Sequence, residues 1–379
     1  MDAILAYAQS RQNEIIALIR DLVECESPSR DPAAVERFVD LVSDRVSSFA
    51  GLRRFPGNRL GPHLECEFAL PGANKDGQIL ALGHSDTVWP VGTLKQMPFR
   101  QAEGRLWGPG VLDMKAGIAF LVFAVRALRE LDLPVRRRLV LQLNSDEEVG
   151  SESSRPLTEA AARRSLAVLV LEPGTGLQGS LKTSRKGVGD YTLVVHGKAA
   201  HAGLDFSSGA SAILELARQI EKIAGFTNLE RGLTVSPGVI SGGVRTNVVA
   251  AEARADIDIR VVRRKDAEVL DRRFRRLRPF DKRCTLEISG GLNRPPMERT
   301  PAGIRLFGLA QKLAAELGVS LEESSSGGGS DGNLTAALGI PTLDGLGAVG
   351  EGAHAPHESI LVNRIADRTA LLAKLLAAL

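Results

Sequence analysis

Three apolar runs, each followed by acidic or imidazole side chains, constrain the fold of this chain most strongly. The runs at 78–82, 138–144 and 166–171 have the length and composition of buried strands, and helical patterns lie between them. This alternation predicts a mainly parallel sheet with helices on both faces, whose ligands bind at the carboxyl ends of the strands. The side chains that follow the three runs are His84 with Asp86, the acids Asp146, Glu147 and Glu148, and Glu172.

The first run leads into His84 and Asp86. Alternate residues of a strand point to the same face, so a metal-binding imidazole and a carboxylate that orients it could share one site. The same pair also occurs as ordinary structural side chains. The acids at 146–148 are more informative, because adjacent carboxylates at a buried strand end repel one another unless a cation is present. Solvated loop acids are the alternative.

Asp113 lies within the segment 105–117, which is rich in glycine and leads into an apolar helix to about Leu131. As the N-cap residue of that helix, Asp113 would stabilise it by about 1 kcal/mol. The other interpretation is a carboxylate that a rigid loop presents to two metal ions. The residues alone leave both interpretations open.

A candidate metal-ligand set emerges from these positions and from a late histidine. Oxygen and nitrogen donors without thiolate suit a pair of zinc ions, with cobalt or manganese as substitutes. Two such ions need a shared carboxylate and a shared water, and the spare acid Glu147 can take a proton from that water. The five candidate ligands are His84, Asp113, Glu148, Glu172 and His354.

The pattern changes at 186–291 to strand, helix, strand, strand, helix and strand, which predicts a compact α+β insertion. We expect a discontinuous catalytic domain at 1–185 and 295–379, interrupted by an inserted domain at 186–294. A loop of small residues in the insertion exposes His201, either as a solvated side chain or as a catalytic one.

Charge and composition exclude several classes of partner. The formal net charge is only +3, so no overall field attracts nucleic acid or an anionic membrane. The arginine-rich segment 272–278 carries apolar residues at helical spacing, as a solvated helix face does. Three scattered cysteines argue against a disulfide framework, and the chain shows neither a signal-peptide pattern nor a run long enough to span a bilayer. We therefore expect a cytoplasmic protein with a small-molecule partner.

Six motifs make the chain similar, over essentially its whole length, to a family of zinc-dependent metallopeptidases and deacylases. This family includes bacterial glutamate carboxypeptidase, acetylornithine deacetylase, succinyl-diaminopimelate desuccinylase and aminoacylase. The motifs are Gly-His-Ser-Asp-Thr at 83–87, Gly-Pro-Gly-Val-Leu-Asp-Met-Lys-Ala-Gly at 108–117, Ser-Asp-Glu-Glu-Val-Gly at 145–150, Leu-Glu-Pro-Gly at 171–174, Gly-Lys-Ala-Ala-His-Ala-Gly at 197–203 and Ala-His-Ala-Pro-His-Glu at 353–358.

The resemblance implies an α/β fold. It consists of a mainly parallel-sheet di-zinc catalytic domain, phosphorylase/hydrolase-like, with an inserted ferredoxin-like α+β domain that serves as lid and dimerisation domain. It also implies two Zn²⁺ per subunit. His84 and Glu172 would hold one ion, Glu148 and His354 would hold the other, and Asp113 would bridge them through a cis peptide to Met114.

The resemblance also assigns catalytic roles. Asp86 would accept a hydrogen bond from His84, and Glu147 would deprotonate the attacking water and then protonate the leaving amine. His201 would enter the site of a neighbouring subunit and stabilise the oxyanion, with Asn247 close to it. A homodimer formed through the lid would then be part of catalysis.

Two arginines, Arg260 and Arg294, match residues that bind substrate carboxylates in the glutamate carboxypeptidase branch, where a guanidinium fork fits a carboxylate. The alternative is a pair of exposed surface arginines. The loop 327–331, with Gly328, would line the substrate pocket. Glu358 would make local structural hydrogen bonds.

These observations together favour an amide-bond hydrolase that releases a C-terminal amino acid, glutamate-like, from a peptide or N-acyl conjugate. An N-acyl amino acid deacylase is the alternative within the family. A catalytically silent protein that only binds amino-acid conjugates is a more distant one, because such a protein is expected to have lost Glu147 or a ligand.

Overall fold

The computed structural model describes residues 2–73 and 75–379. The α-helices are α1 (Ala3–Ser10), α2 (Gln12–Glu24), α3 (Pro32–Val46), α4 (Ala116–Glu130), α5 (Arg155–Arg163), α6 (Ala212–Ala224), α7 (Arg264–Arg275), α8 (Pro301–Glu316), α9 (Gly332–Ala337) and α10 (Ile365–Ala378). The strands are β1 (Ala50–Phe55), β2 (His63–Phe68), β3 (Gln78–His84), β4 (Arg100–Ala102), β5 (Arg105–Trp107), β6 (Arg138–Asn144), β7 (Ser165–Val170), β8 (Leu181–Arg185), β9 (Gly187–His196), β10 (Thr234–Gly242), β11 (Glu252–Val261), β12 (Thr285–Arg294), β13 (Glu323–Ser326), β14 (Thr342–Leu343), β15 (Gly350–Glu351) and β16 (Ser359–Leu361).

The chain divides into two compact units. The first unit comprises Met1–Ser184, Arg299–Ser326 and Ser330–Leu379, and the second comprises Arg185–Glu298 with the short segment Gly327–Gly329. The second unit is therefore an insertion, joined by three glycines from a later loop. None of the helices in the described ranges is long and apolar enough to cross a lipid bilayer.

A six-stranded sheet with the order β1-β2-β6-β3-β7-β14 organises the first unit. Strands β6, β3, β7 and β14 run parallel to one another, and β2, antiparallel to β6, adds an edge with β1. The expectation of a mainly parallel α/β sheet is thus confirmed. The carboxyl ends of β3 and β6 lie side by side, because His84 is paired with Asn144.

Helices cover both faces of this sheet, as the apolar runs indicate. Along β3, Ile79 and Ala81 join the main core, whereas Leu80 and Leu82 join a smaller cluster on the opposite face with residues of α5 and β7. This alternation is the two-residue period of a strand. Helix α4 is apolar on almost every side and lies buried within the main core.

Local signals explain where several helices begin. Asp31 is the N-cap of α3: it accepts a hydrogen bond from the main-chain N–H of Ala34, and Pro32 lies in the first turn. Residues 4–25, which carry apolar side chains at helical spacing, form two helices rather than one. Arg11 leaves the helical conformation, at φ −97° and ψ 6°, and separates α1 from α2.

The second unit has the element order β9-α6-β10-β11-α7-β12 and an antiparallel sheet of order β10-β11-β9-β12. This is the ferredoxin-like arrangement that the resemblance implied. Its own core includes Tyr191, which stacks on Phe274 of α7 at a ring-centroid distance of 3.8 Å. Strand β10 lies at one edge of this sheet.

Candidate metal centre and substrate-binding residues

The five candidate ligands converge at the carboxyl edge of the parallel sheet. His84 is the last residue of β3, and Glu172 follows the end of β7. Glu148 lies in the short helical turn Glu147–Val149 beyond β6. Asp113 lies in the π-helical turn Val111–Lys115, and His354 lies in the loop after β15, with a left-handed φ of 60°.

Asp113 stands between the two histidines. Its Oδ1 is 3.1 Å from Nε2 of His84, and its Oδ2 is 3.3 Å from Nε2 of His354. Glu172 completes the first group, with Oε1 at 3.5 Å from His84 Nε2, and Glu148 completes the second, with Oε2 at 3.3 Å from His354 Nε2. Asp113 is therefore common to two groups of donors, each compact enough to hold one metal ion.

The same geometry overturns the N-cap interpretation of Asp113. Lys115 occupies the N-cap position of α4, and the φ and ψ of Asp113, −116° and 92°, are not helical. The Asp113–Met114 peptide is cis, as the resemblance implied. The carboxylate of Asp113 points to the imidazoles of the cluster rather than to the N–H groups of α4.

The charges of the cluster shift its ionisation strongly. Hydrogen bonds to Asp113 and Glu148 raise the pKa of His354 to about 10. Burial opposes protonation of His84, but the neighbouring carboxylates raise its pKa well above the ordinary value. Burial by itself would raise the pKa of Asp113, yet hydrogen bonds from the two imidazoles hold it far below its usual range. Burial raises the pKa of Glu148. In the metal-free cluster, the imidazoles therefore favour their protonated form and attract the neighbouring carboxylates.

The donor set fits a pair of metal ions. Oε1 of Glu148 is buried and has no hydrogen-bond partner within the described residues, and such an orphaned carboxylate oxygen is costly unless a cation binds it. All donors are imidazole nitrogens and carboxylate oxygens, which suit zinc, cobalt or manganese.

The structure gives Asp86 a different role from the expected one. Strand β3 ends at His84, so the alternation of a strand does not extend to Asp86. Nδ1 of His84 lies 2.8 Å from the main-chain oxygen of Asp86 and 3.6 Å from its carboxylate. The buried carboxylate instead accepts hydrogen bonds from the N–H groups of Glu147 and Glu148, each at 3.2 Å, and from Oγ of Ser29 at 2.7 Å.

Asp86 therefore fixes the turn that carries Glu147 and Glu148. Its two oxygens bind consecutive N–H groups, so this turn cannot rotate without breaking both hydrogen bonds. Glu147 is half-buried at the start of the turn, adjacent in sequence to one of the candidate ligands. The main chain therefore holds the Glu147 side chain in a fixed position.

Glu358 contacts the loop of a candidate ligand, which the sequence did not reveal. We expected local hydrogen bonds, but its carboxylate binds a loop 246 residues away, at Leu112. It accepts hydrogen bonds from main-chain N–H groups of the Asp113 loop and from Nε1 of Trp89. The sequence shows only that an acid follows the candidate ligand His354 by four residues. Spacing along the chain cannot identify the distant N–H groups that this acid contacts.

His201 and Asn247 lie together in the second unit. Residues His201 and Val248 form an isolated β-bridge, and the N–H of Ala202 donates to the main-chain oxygen of Asn247 at 2.9 Å. The exposed imidazole of His201 accepts hydrogen bonds at Nδ1 from the N–H groups of Gly203 and Leu204, both at 3.1 Å. Because Nδ1 accepts, Nε2 carries the proton and can donate to a ligand.

Arg260 and Arg294 share one face of the sheet in the second unit. Both residues are opposite Val188 of the central strand β9, one from each side, and directly opposed residues point to the same face. Arg294 is only 7% exposed, so it is not a surface arginine. Arg260 is partly exposed, and Asp258 occupies its guanidinium fork, with Nη2–Oδ2 at 2.9 Å and Nε–Oδ1 at 3.0 Å.

The glycine segment 327–329 adjoins these arginines within the second unit. The main-chain oxygens of Gly328 and Gly329 accept hydrogen bonds from Nη1 of Arg185, each at 3.2 Å. A Cβ atom on Gly329 would lie 2.9 Å from Cδ of Arg294, so only glycine permits this close approach. Gly328 therefore belongs to a segment that packs against Arg294 through its neighbour Gly329.

The fold and the paired donor groups define a metal-dependent hydrolase. Residues 80–378 match peptidase family M20/M25/M40, and the chain belongs to this family. It is 25% identical over 378 residues to carboxypeptidase G2 of Pseudomonas sp. (strain RS-16), covering 97% of this chain and 90% of that one. It is 30% identical over 387 residues to succinyl-diaminopimelate desuccinylase of Cereibacter sphaeroides, covering 95% and 97%.

Solved structures have the same fold. An aminopeptidase PepT from Bacillus cereus ATCC 10987 matches with a TM-score of 0.78 at 22% identity, covering 97% of this chain and 98% of that chain. A Bacillus subtilis protein described as a dinuclear metal-binding peptidase of the M20 family matches with a TM-score of 0.68 at 13% identity, covering 98% of each chain.

Proposed function

We propose that this enzyme uses two Zn²⁺ ions to hydrolyse the amide bond of a peptide or N-acyl conjugate and release a C-terminal, glutamate-like amino acid. Cobalt or manganese would substitute for zinc. The observation that carries the proposal is the position of Asp113, whose two carboxylate oxygens each lie next to a different imidazole. Such a bridging carboxylate is what two adjacent cations require.

The chain's own residues divide the chemistry among them. When bound, the two ions would polarise the substrate carbonyl and lower the pKa of the attacking water. Asp86 holds the turn of Glu147 through main-chain hydrogen bonds. We assign Glu147 as the base that takes the proton from the attacking water and returns it to the leaving amine.

His201 is proposed to donate its Nε2–H to the oxyanion in the active site of a second copy of the chain. The hydrogen bonds at Nδ1 fix the tautomer that this role needs. The second unit would then act as the lid and dimerisation domain. Asn247, whose main chain is hydrogen-bonded to the residue after His201, would lie beside the same oxygen.

A second copy also has a surface to bind. Strand β10 is an edge strand, and it exposes Val239 and Ile240 to 60% each, with Leu214 of α6 exposed to 59%. An apolar, unpaired edge strand is unfavourable in water and is readily covered by a strand of another chain. A two-fold axis at β10 would join two sheets and bury these side chains in both copies.

Arg294 is proposed to bind the carboxylate of the leaving amino acid. It is buried on the same sheet face as Arg260 and beside the glycine segment. A desolvated guanidinium binds carboxylates more strongly than an exposed one, since water competes less. Arg260 would assist with Nη1, because Asp258 already occupies the other side of its fork.

An N-acyl amino acid deacylase remains the second candidate. The likeness to a desuccinylase, at 30% identity over nearly the full length of both chains, supports it. The ion pair of Arg260 with Asp258 also supports the deacylase, because an arginine that is already paired is less available to bind the side chain of a glutamate leaving group.

A hydrolysis screen distinguishes the two candidates. Metal-loaded enzyme is assayed with N-acyl and peptidyl conjugates of glutamate, aspartate and neutral amino acids. We expect the highest kcat/KM with glutamate as leaving group and a loss of that preference in Arg294→Ala. Equal rates with neutral leaving groups, unaltered in Arg294→Ala and Arg260→Ala, would contradict the carboxypeptidase proposal and favour the deacylase.

A further inference from the structure

Glu358 is a fully buried acid whose carboxylate contacts two loops near the metal centre. Its Oε1 accepts hydrogen bonds from the N–H of Leu112 at 2.9 Å and of Asp113 at 3.1 Å. Its Oε2 accepts from the N–H of Gly110 and from Nε1 of Trp89, both at 2.8 Å. The four donors saturate both carboxylate oxygens.

These contacts join three segments that each carry a candidate ligand. Trp89 lies in the loop that follows His84, the N–H donors belong to the loop of Asp113, and Glu358 itself follows His354 in the same loop. A single side chain that binds no ion thus connects three of the five candidate ligands. Nothing in the proposed mechanism uses this carboxylate.

The Asp113 loop depends on this acid for its main-chain hydrogen bonds. The N–H groups of Gly110, Leu112 and Asp113 precede or begin the π-helical turn, where no earlier turn of helix supplies acceptors. A negative group at the start of a helical segment is also favoured by the helix dipole. Without Glu358, three buried N–H groups would lose their acceptor.

The position of Asp113 N–H matters because its side chain is short. From a fixed main chain, the two carboxylate oxygens of Asp113 reach only a small region, and here each oxygen faces one imidazole. Metal sites need their ligands within about 0.5 Å of the productive geometry. A small shift of this loop would therefore move the shared ligand of both donor groups.

We propose that Glu358 is a positioning residue of the metal centre: it fixes Asp113 between the two donor groups and thereby sets the affinity for both ions. This inference rests on the metal centre under Proposed function. The competing explanation is a buried acid that stabilises the fold without affecting metal binding.

Glu215 provides a matched control in the second unit. It is also buried, and its carboxylate also accepts main-chain hydrogen bonds, from Phe280 at 3.0 Å and Asp281 at 2.9 Å, and one from Nε2 of Gln219 at 2.7 Å. None of its partners adjoins a candidate metal ligand. Replacing either acid by glutamine leaves one oxygen acceptor and places an amide NH₂ against N–H donors.

The experiment compares Glu358→Gln and Glu215→Gln in the full-length protein with wild type. Zinc affinity is measured by competition with a chromophoric chelator, cobalt coordination by visible absorption of the Co²⁺-substituted protein, and stability by thermal unfolding. Both variants should unfold at lower temperature. Only Glu358→Gln should bind zinc more weakly, by about 10–100-fold, and change the cobalt spectrum.

Other results are decisive too. Wild-type zinc affinity and an unchanged cobalt spectrum in Glu358→Gln would overturn the inference, as would an equal loss of affinity in Glu215→Gln. Failure of the wild-type chain to bind a pair of ions would instead contradict the proposed function. If Glu358→Gln does not fold, Trp89→Phe is used in its place, because this change removes one of the four hydrogen-bond donors to Glu358. Zinc affinity should then fall about threefold. An unchanged zinc affinity in Trp89→Phe would overturn the inference.

Discussion

The metal cluster of the first unit and the candidate substrate residues of the second are held in different ways. His84, Glu148 and Glu172 are largely buried, and main-chain hydrogen bonds to Asp86 and Glu358 fix the turns around them. His201 and Asn247 are exposed on loops, and Arg260 is held by a neighbouring acid. The five candidate ligands therefore lie together within one chain, whereas the proposed oxyanion donor, His201, is expected to act in the site of a second copy.

The largest expected effect concerns the base. Glu147→Gln keeps the size of the side chain but cannot accept a proton, so kcat should fall by about 10⁴-fold. Metal content, measured by atomic emission, should remain that of wild type, because Glu147 is not among the five candidate ligands. Glu152→Gln, a nearby exposed acid, is the control and should retain activity. Unchanged turnover in Glu147→Gln would refute the assignment.

The second prediction tests the need for another copy. His201→Ala should lower kcat by about 10²–10³-fold through the loss of an oxyanion donor, with zinc content unchanged. Random mixing of His201→Ala and Glu147→Gln chains should restore about one quarter of wild-type activity, because half of the two-fold dimers are mixed and each has one intact site. No recovery would contradict a role of His201 in the partner's site and place it within its own chain.

The third prediction concerns protons. With its pKa at about 10, the imidazole of His354 is protonated at pH 7 in the metal-free protein. The carboxylates around His84 raise the pKa of that imidazole as well and so favour its protonated form. Ligand imidazoles must be neutral, so zinc binding should release about two protons, and affinity should rise by up to about 100-fold per pH unit near neutrality. Calorimetry in buffers of different ionisation enthalpy measures the release. His354→Gln should release one proton fewer, and a binding enthalpy independent of buffer would argue against the cluster.

The smallest effect separates the two arginines. Arg294→Ala should raise KM for a glutamate-releasing substrate by roughly thirtyfold, equivalent to about 2 kcal/mol for a charged hydrogen bond. Arg260→Ala should raise it only a few-fold, because Asp258 engages most of its fork. Steady-state kinetics with glutamate and neutral leaving groups provide the test. A larger effect of Arg260 than of Arg294 would reverse the proposed order.

Much of the site follows from local sequence because parallel strands bring their carboxyl ends to one edge. His84 and Glu172 could be placed together for this reason. The order of helices and strands in the second unit was predictable from periodicity, whereas its ferredoxin-like topology was implied only by the resemblance. What local pattern cannot show is a long-range main-chain contact. Glu358 and the loop of Asp113 are far apart in sequence, and no local pattern in either segment indicates that they are in contact.

The role of Asp86 could not be predicted for a related reason. The two-residue period of a strand suggested that it faces its neighbour His84, but the strand stops before it and the chain turns towards Ser29. Short strands such as β4 and β15, with three and two residues, are also too brief to show any period. These elements depend on tertiary pairing with β5 and β16.

The central claim is that Asp113 bridges two metal ions. Crystals of the zinc-loaded protein, measured at the zinc absorption edge, test it most directly through an anomalous difference map. We predict two peaks about 3.5–4 Å apart, one on the side of His84 and one on the side of His354, with an oxygen of Asp113 bound to each. A single peak, or a pair of peaks that Asp113 does not join, would contradict the account.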